Sequence, residues 1–552
     1  MKLWLKTNLP EAYDLLSGLK WDIAAWLDYQ RPSRRRSAHV QRSWDKLLRD
    51  VKSYSVDPAK ERVLFFTVRG WPYHVAVDTL CALRLLQRGH GVEFLDCRGE
   101  LPFCNMGNMR SPEAWHRPCE FCVRTKAAYY HGRFPAQTLG EVSSECREAM
   151  EKVRSLDLDG CRNFVWNGVA VGALCAGTVS WFFCRSTLRD SDVPVYRQVL
   201  KAGLVVADRL PVHLDRVKPA CVTMLSGDFF AERIAADYCR KRGIRFLTHE
   251  MTYYDRVIGG INASVTDALC LTAPDRLCRP LTDSQQRVTK RFIRKWLGGN
   301  GYLGTAVWKD VTSDPGKIAD SLKLDGRPIA VAFTNLTYDM GVLDKDRAFR
   351  NIFDWLQELV RYFKDHPEWQ LVIRIHPGES KQSQWRTEEP AGDYLKTLPD
   401  ASAENIRIIL PESPISSYSL MGMARVGLTY TSTTTLEMCM KGKPVVTAGK
   451  SPFCHRGFTY DPMTSTEYFE TVGGLLDGRV KGWSPEREDA LLRFVHFLFF
   501  RRVYDLEPMK LDPQSRLPVF RITDPDRLTT KDCPALNAFC EAMAFGTEPE
   551  LP

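Results

Sequence analysis

The sequence lacks a strong excess of charge of either sign: 76 Lys and Arg stand against 67 Asp and Glu, a formal net charge of +9 over 552 residues. Much of that excess is local, because residues 31 to 50 carry seven basic and two acidic side chains. The remainder is nearly balanced, which argues against a surface built to wrap nucleic acid; the local patch suits anionic lipid or an acidic partner. Low-complexity tracts and repeats of fixed period are also missing. With 26% charged and 44% hydrophobic residues, this excludes disorder, collagen and coiled coil as descriptions of the whole. At about 100–200 residues per domain, the length implies two large domains or three ordinary ones.

Named catalytic fingerprints are missing as well. There is no G-x-x-x-x-G-K-[ST], no G-x-G-x-x-G after a strand, no G-x-S-x-G and no H-E-x-x-H. Asp157-Leu-Asp159 and Asp190-Ser-Asp192 match the short D-x-D of metal-dependent sugar transferases, but neither follows a convincing strand. The N-terminal 29 residues form an amphipathic pattern without a signal peptide's uninterrupted apolar region. Seventeen cysteines, an odd number at irregular spacing, do not form a disulfide framework and suit reduced cytoplasmic thiols. Residues 163–184 run without a charge and are long enough to span a bilayer. Asn163, Asn167, Thr178 and Ser180 interrupt them, and Gly168, Gly172 and Gly177 suit close packing in a protein core.

What is present is a repeated β-α-β grammar. The run 63–68 (VLFFTV) predicts a buried strand, 74–88 a helix closed by Gly89, and 92–95 a second strand. The pattern returns at 220–248, where an apolar strand leads through Ser226-Gly227-Asp228 into a helix and another strand. Residues 271–327 hold Arg and Lys clusters and Gly298-Gly299-Asn300-Gly301, and are read as an interdomain connection. A second α/β domain opens at 329–333 (IAVAF), reaches a strand at 371–375 ending in His376-Pro377, and continues with strands at 406–410 and 426–429. Open parallel sheets bind ligands at the carboxyl ends of their strands, so a crevice between two such domains is the expected site.

Two strand ends carry the chemistry. Thr429-Tyr430-Thr431-Ser432-Thr433-Thr434-Thr435-Leu436-Glu437 sets a run of hydroxyls between a strand and a helix start, where free N–H groups and the helix dipole favour an anion such as phosphate. Glu437 would sit in the first turn, either accepting from a nucleotide ribose or closing a Thr434-x-x-Glu437 capping box. Arg374-Ile375-His376-Pro377-Gly378-Glu379 ends another strand, with His376 either donating to a leaving phosphate or bonded to backbone.

These segments, with Gly442-Lys443-Pro444-Val445-Val446 and Gly457-Phe458-Thr459-Tyr460-Asp461, resemble the capsule polysaccharide biosynthesis family of bacterial glycosyltransferases, related to Kdo and sialic acid transferases. The resemblance is strong over 329–468, weaker over 63–250 and absent before residue 60. It implies an α/β fold of GT-B type, two Rossmann-like domains facing across a cleft. The expected boundaries are a helical, basic extension at 1–60, an acceptor domain at 61–310, a nucleotide-sugar domain at 320–500 and a C-terminal tail at 501–552. It further implies that Arg374, His376, Ser432, Thr433, Thr434 and Glu437 contact the donor, joined by Asn335 and Asp339 of the loop after the second domain's first strand. The base is expected from the first domain, where Asp228, Glu232 and Glu250 are candidates and Glu250 follows a strand end. With His376 and the helix dipole stabilising the departing phosphate, no metal is needed for catalysis.

The implied function is transfer of a sugar, with CMP-linked acidic sugars favoured, from a nucleotide donor to a surface polysaccharide or glycolipid. It would be cytoplasmic and peripheral at the inner membrane face, where the basic patch would dock. Two alternatives stay open: a CDP-glycerol or CDP-ribitol phosphotransferase, and a non-catalytic nucleotide- or glycan-binding scaffold. No nucleic-acid partner is expected. Cys97, Cys104, Cys119 and Cys122 form C-x6-C-x14-C-x2-C near His116, compatible with structural zinc, with an iron–sulfur cluster, or with unligated thiols.

Overall fold

A computed structural model describes residues 42–106, 118–252, 256–268, 270, 277, 279–298, 311–380, 387–512, 517–522 and 524–548. Most of the N-terminal extension and of its basic patch lies outside the described residues, as does His116.

The first domain is built on strands β1 (Arg62–Thr67), β2 (Gly91–Asp96), β3 (Ala136–Thr138), β4 (Cys221–Leu225), β5 (Arg245–Thr252) and β6 (Arg256–Ile261). Their order across the sheet is β6-β5-β4-β1-β2-β3, with all neighbours parallel except the β5/β6 hairpin. Alternate residues of β1 enter opposite layers. Val63 and Phe65 pack with α1 (Pro72–Gln87), while Leu64 and Phe66 pack with α2 (Val171–Phe183), α3 (Val193–Val217) and α4 (Phe230–Lys241). A strand covered on both faces needs an unbroken apolar run, which is what 63–66 supplies. The chain moves from β1 through α1 to β2, and from β4 through α4 to β5, so the winding reverses between β1 and β4.

The uncharged run 163–184 contributes the 13-residue helix α2, packed in this core. Among the described residues, no helix is long and apolar enough to cross a membrane. Gly172 is needed there because an added Cβ would lie 2.2 Å from the Cys161 carbonyl oxygen.

The second domain begins with α5 (Asp283–Leu297), within the stretch read as a connection. Its Thr282 and Gln285 form a capping box, and Ile293 and Trp296 are buried against the second sheet. That sheet is all parallel, in the order β11-β10-β7-β8-β9, built from β7 (Ile329–Phe333), β8 (Gln370–Arg374), β9 (Ile406–Ile409), β10 (Val426–Thr429) and β11 (Val445–Thr447). Helix α6 (Ile352–Lys364) covers one face, and α5 with α8 (Pro485–His496) covers the other; the short α7 (Thr434–Met440) joins β10 to β11. Here the winding reverses between β7 and β10.

Beyond residue 502 the chain returns to the first domain. β12 (Val503–Tyr504) pairs antiparallel with β6, and α9 (Pro534–Phe545) buries Leu536, Phe539 and Met543 in the same core as Leu80 and Leu83 of α1. The segment set apart at 501–552 thus adds a strand and a helix to the first domain.

The two sheets present their carboxyl edges to one another. Asp344 and Lys345, in the β7–α6 loop, reach Arg233 (3.0 Å) and Asp267 of the first domain. Beside them Glu388 pairs with Arg185 at 2.6 Å and Glu389 with Arg189 at 3.1 Å. The α/β class with two Rossmann-like domains across a cleft, expected from the sequence, is the architecture observed.

Candidate active site

The carboxyl ends of β7, β8 and β10 carry Asn335, His376 and the hydroxyl run of the expected donor residues to the reversal point of the second sheet. Asn335 follows β7 and its Oδ1 accepts the Thr431 N–H, 3.4 Å away beyond β10. His376 follows β8, and its backbone N–H donates to Thr334 Oγ1 at 2.8 Å, tying it to the β7 exit. Its Nδ1 accepts the Gly378 N–H at 3.0 Å, which places the ring proton on Nε2 in the neutral form. Burial and the neighbouring Arg374 lower its pKa to about 4. A neutral, partly exposed imidazole with Nε2–H unpartnered among the described residues is suited to donate to an oxyanion.

Arg374 is committed differently. It is 1% exposed, donates to the carbonyls of Leu410 (2.6 Å) and Ser413 (3.1 Å), and fixes the loop after β9. Asp339 is exposed and accepts the Gly341 N–H at 2.7 Å, capping its own turn.

The hydroxyl run divides into pinned and free members. Thr429 and Thr435 share a 2.8 Å hydrogen bond inside the domain. Ser432 Oγ accepts from the Thr434 N–H (3.3 Å) and the Thr434 hydroxyl (2.9 Å), while Thr433 is exposed. The Thr434-x-x-Glu437 capping box is not formed: Thr433 is the N-cap residue and makes no side-chain cap. Glu437 turns instead to other helices. Its Oε1 accepts from Trp296 Nε1 at 2.9 Å and from the Tyr418 hydroxyl at 2.6 Å. Burial raises its carboxyl above the usual range against those two bonds. Trp296 lies in the stretch that carried no signal of a site, so sequence reasoning missed this partner.

In the first domain the carboxyl ends of β1, β4 and β5 hold the candidate bases. Glu232, 1% exposed, forms a two-pronged pair with Arg69, at 2.8 Å and 2.5 Å. Burial pushes its carboxyl up to about 7 despite the guanidinium. Asp228 accepts from the Ser226 hydroxyl at 2.6 Å and the Thr266 hydroxyl at 2.8 Å, and burial raises it too. Ser226, between β4 and α4, has φ +47°, a conformation that non-glycine residues rarely adopt. Glu250 is the more open of the three, with a side chain 34% exposed, 3.1 Å from His74 Nε2. Burial raises its carboxyl, but His74 and the Met251 N–H more than offset this and leave it below the usual range.

The D-x-D segments act locally: Asp157 caps a helix through the Gly160 N–H, and Asp192 pairs with Arg185. Of the four motif cysteines, Cys97 and Cys122 are buried and Cys104 and Cys119 partly so. Burial pushes the Cys97 thiol up to about 12 and Cys122 up to about 11. Among the described residues, no three His, Cys, Asp or Glu side chains converge as metal ligands.

No protein-family profile and no curated protein matches the chain. Solved structures are matched at a low level of likeness. The beta Kdo 2,7 transferase KpsC of Thermosulfurimonas dismutans is 12% identical over 56% of this chain and 85% of that one, with a TM-score of 0.33. UDP-GlcNAc 2-epimerase from Neisseria meningitidis is 12% identical over 79% and 95%, at 0.24, and the spinosyn rhamnosyltransferase SpnG is 10% identical over 79% and 95%, also at 0.24. At that level of likeness, chemistry has to be argued from this chain's own residues.

Proposed function

We propose that the protein is a glycosyltransferase that moves a sugar from a nucleotide donor, a CMP-linked acidic sugar first, to a hydroxyl of a glycan or glycolipid. The observation that supports this best is the setting of His376: neutral, Nδ1 occupied, Nε2–H open, at the reversal point of a parallel sheet whose neighbouring strand ends carry Asn335 and the Ser432–Thr433 hydroxyls. A leaving phosphate there would accept from His376 and the exposed Thr433 hydroxyl. Glu250, across the cleft on the first domain, would take the acceptor's proton as the new glycosidic bond forms and the sugar–phosphate bond breaks. The step needs no metal, and activity should persist in a chelator. The protein would act in the cytoplasm, with the basic residues near its N-terminus meeting the inner membrane face.

Thermal shift against CMP, CDP, UDP, GDP and ADP tests the donor. Occupancy at about 100 times the dissociation constant adds about 2.7 kcal/mol of stability. Selective stabilisation by a cytidine nucleotide, lost in His376→Ala, is expected. Phosphorus retained in the product would instead indicate a CDP-polyol phosphotransferase, and binding without turnover a scaffold.

A further inference from the structure

Two His–carboxylate pairs of opposite sense lie side by side at the carboxyl end of the first sheet. His74 and Asp78 are one turn apart on α1, and His249 and Glu250 are consecutive on β5. The helix histidine meets the strand carboxylate, His74 Nε2 to Glu250 Oε1 at 3.1 Å. The strand histidine meets the helix carboxylate, His249 Nε2 to Asp78 Oδ1 at 2.8 Å. Thr67, at the end of β1, donates to the other Asp78 oxygen at 2.7 Å. The two rings are 5.6 Å apart, centroid to centroid.

The burial of these groups differs in a way that assigns roles. His249 is fully buried and His74 is 8% exposed, whereas the Glu250 side chain is 34% exposed. Both Nδ1 atoms are buried and have no partner among the described residues. A proton on either Nδ1 would therefore be a buried donor without an acceptor, so the neutral form of each imidazole is the Nε2–H tautomer, with that N–H facing the paired carboxylate. Glu250 Oε1 thus accepts the Met251 N–H at 3.0 Å and faces His74 Nε2 at 3.1 Å, and Oε2 has no protein partner among the described residues.

We propose that His74 is a positioning residue for Glu250: its Nε2–H pins one carboxylate oxygen and leaves the other free to take a proton from the acceptor hydroxyl. The His249–Asp78–Thr67 set holds α1 against β5 so that this contact keeps its register. The proposal rests on Glu250 as the base put forward above, yet the contact and its catalytic use are measured separately.

Histidine nitrogen NMR on the full chain measures the contact. The resonances that vanish in His74→Gln belong to His74 and should report the Nε2–H tautomer in the wild type. That selectivity should be lost in Glu250→Ala. An Nδ1–H tautomer, or His74 signals indifferent to Glu250→Ala, overturns the proposal whatever the protein catalyses. Turnover with the donor found by thermal shift measures the use. Gln places an amide N–H near the position of Nε2, so His74→Gln should stay within about threefold of wild type, whereas His74→Phe, which cannot donate, should fall by about 100-fold, the scale of a misplaced catalytic group. Equal loss in both variants would make the imidazole itself the base and overturn the positioning role. CMP affinity unchanged in both variants separates a fault in this contact from a failure of the donor site.

Discussion

Glu437 and Trp296 are joined by a 2.9 Å hydrogen bond between the start of α7 and the end of α5, across 141 residues of sequence. The bond decides what Glu437 does for the fold, because the capping box that would have occupied it is not formed.

Removing the acceptor should therefore break the hydrogen bond that Glu437 accepts from the buried indole N–H. Glu437→Leu is expected to cost about 1–3 kcal/mol in urea denaturation, mainly through Trp296, since Tyr418 is half-exposed and can turn to water. Glu437→Gln keeps an acceptor and should cost much less. If the carboxylate also meets a ribose, nucleotide affinity falls in the Gln variant while stability holds.

His376 should give the protein a pH dependence of definite sign. Its pKa lies near 4 when folded against 6.5 as a free side chain, so between these values the unfolded chain binds more protons. Its contribution is complete above about pH 6.5 and is lost as pH falls toward 4. Discounted for partial exposure, the loss is about 1–3 kcal/mol. His376→Asn, which can still accept the Gly378 N–H but does not titrate, should show a shallower fall in denaturation midpoint over that range.

Much of the scaffold was legible because buried parallel strands must be apolar without interruption: 63–66, 329–333 and 371–373 announce β1, β7 and β8. The strand-end residues His376 and Ser432 could be singled out for the same reason, since a ligand crevice follows from sheet topology, whereas Asn335 is named only through the family resemblance. Partnerships across the sequence left no local trace. Nothing around Trp296 points to Glu437, and nothing in a two-residue strand at Val503–Tyr504 points to β6, some 240 residues earlier. Arg374 had a motif position but a structural task, visible only once its guanidinium is placed on the carbonyls of Leu410 and Ser413.

Gly172 should tolerate no side chain. An added Cβ would sit 2.2 Å from the Cys161 carbonyl oxygen and 2.4 Å from that of Arg162, both backbone atoms. Gly172→Ala is expected to destabilise the first domain by about 3 kcal/mol, the upper range for overpacking. Gly177→Ala, where the nearest atom is the flexible Met340 Cε at 3.1 Å, should cost clearly less in the same assay.

Glu379 opposes His376 three residues away. Its side chain is buried at 3% exposure, with Oε2 accepting the Ala391 N–H at 3.0 Å and Oε1 buried without a partner among the described residues. Burial, with Asp393 nearby, pushes its carboxyl up to about 8 from 4.5. Between those values the folded chain binds more protons, so this contribution is complete below pH 4.5 and is lost as pH rises to 8. The loss is on the order of 4–5 kcal/mol. Glu379→Gln keeps the acceptor for Ala391 and carries no charge, so it should be more stable than wild type at pH 8 and should remove the downward slope. A wild-type slope retained in that variant would mean that the carboxyl is already ionised, with water reaching Oε1.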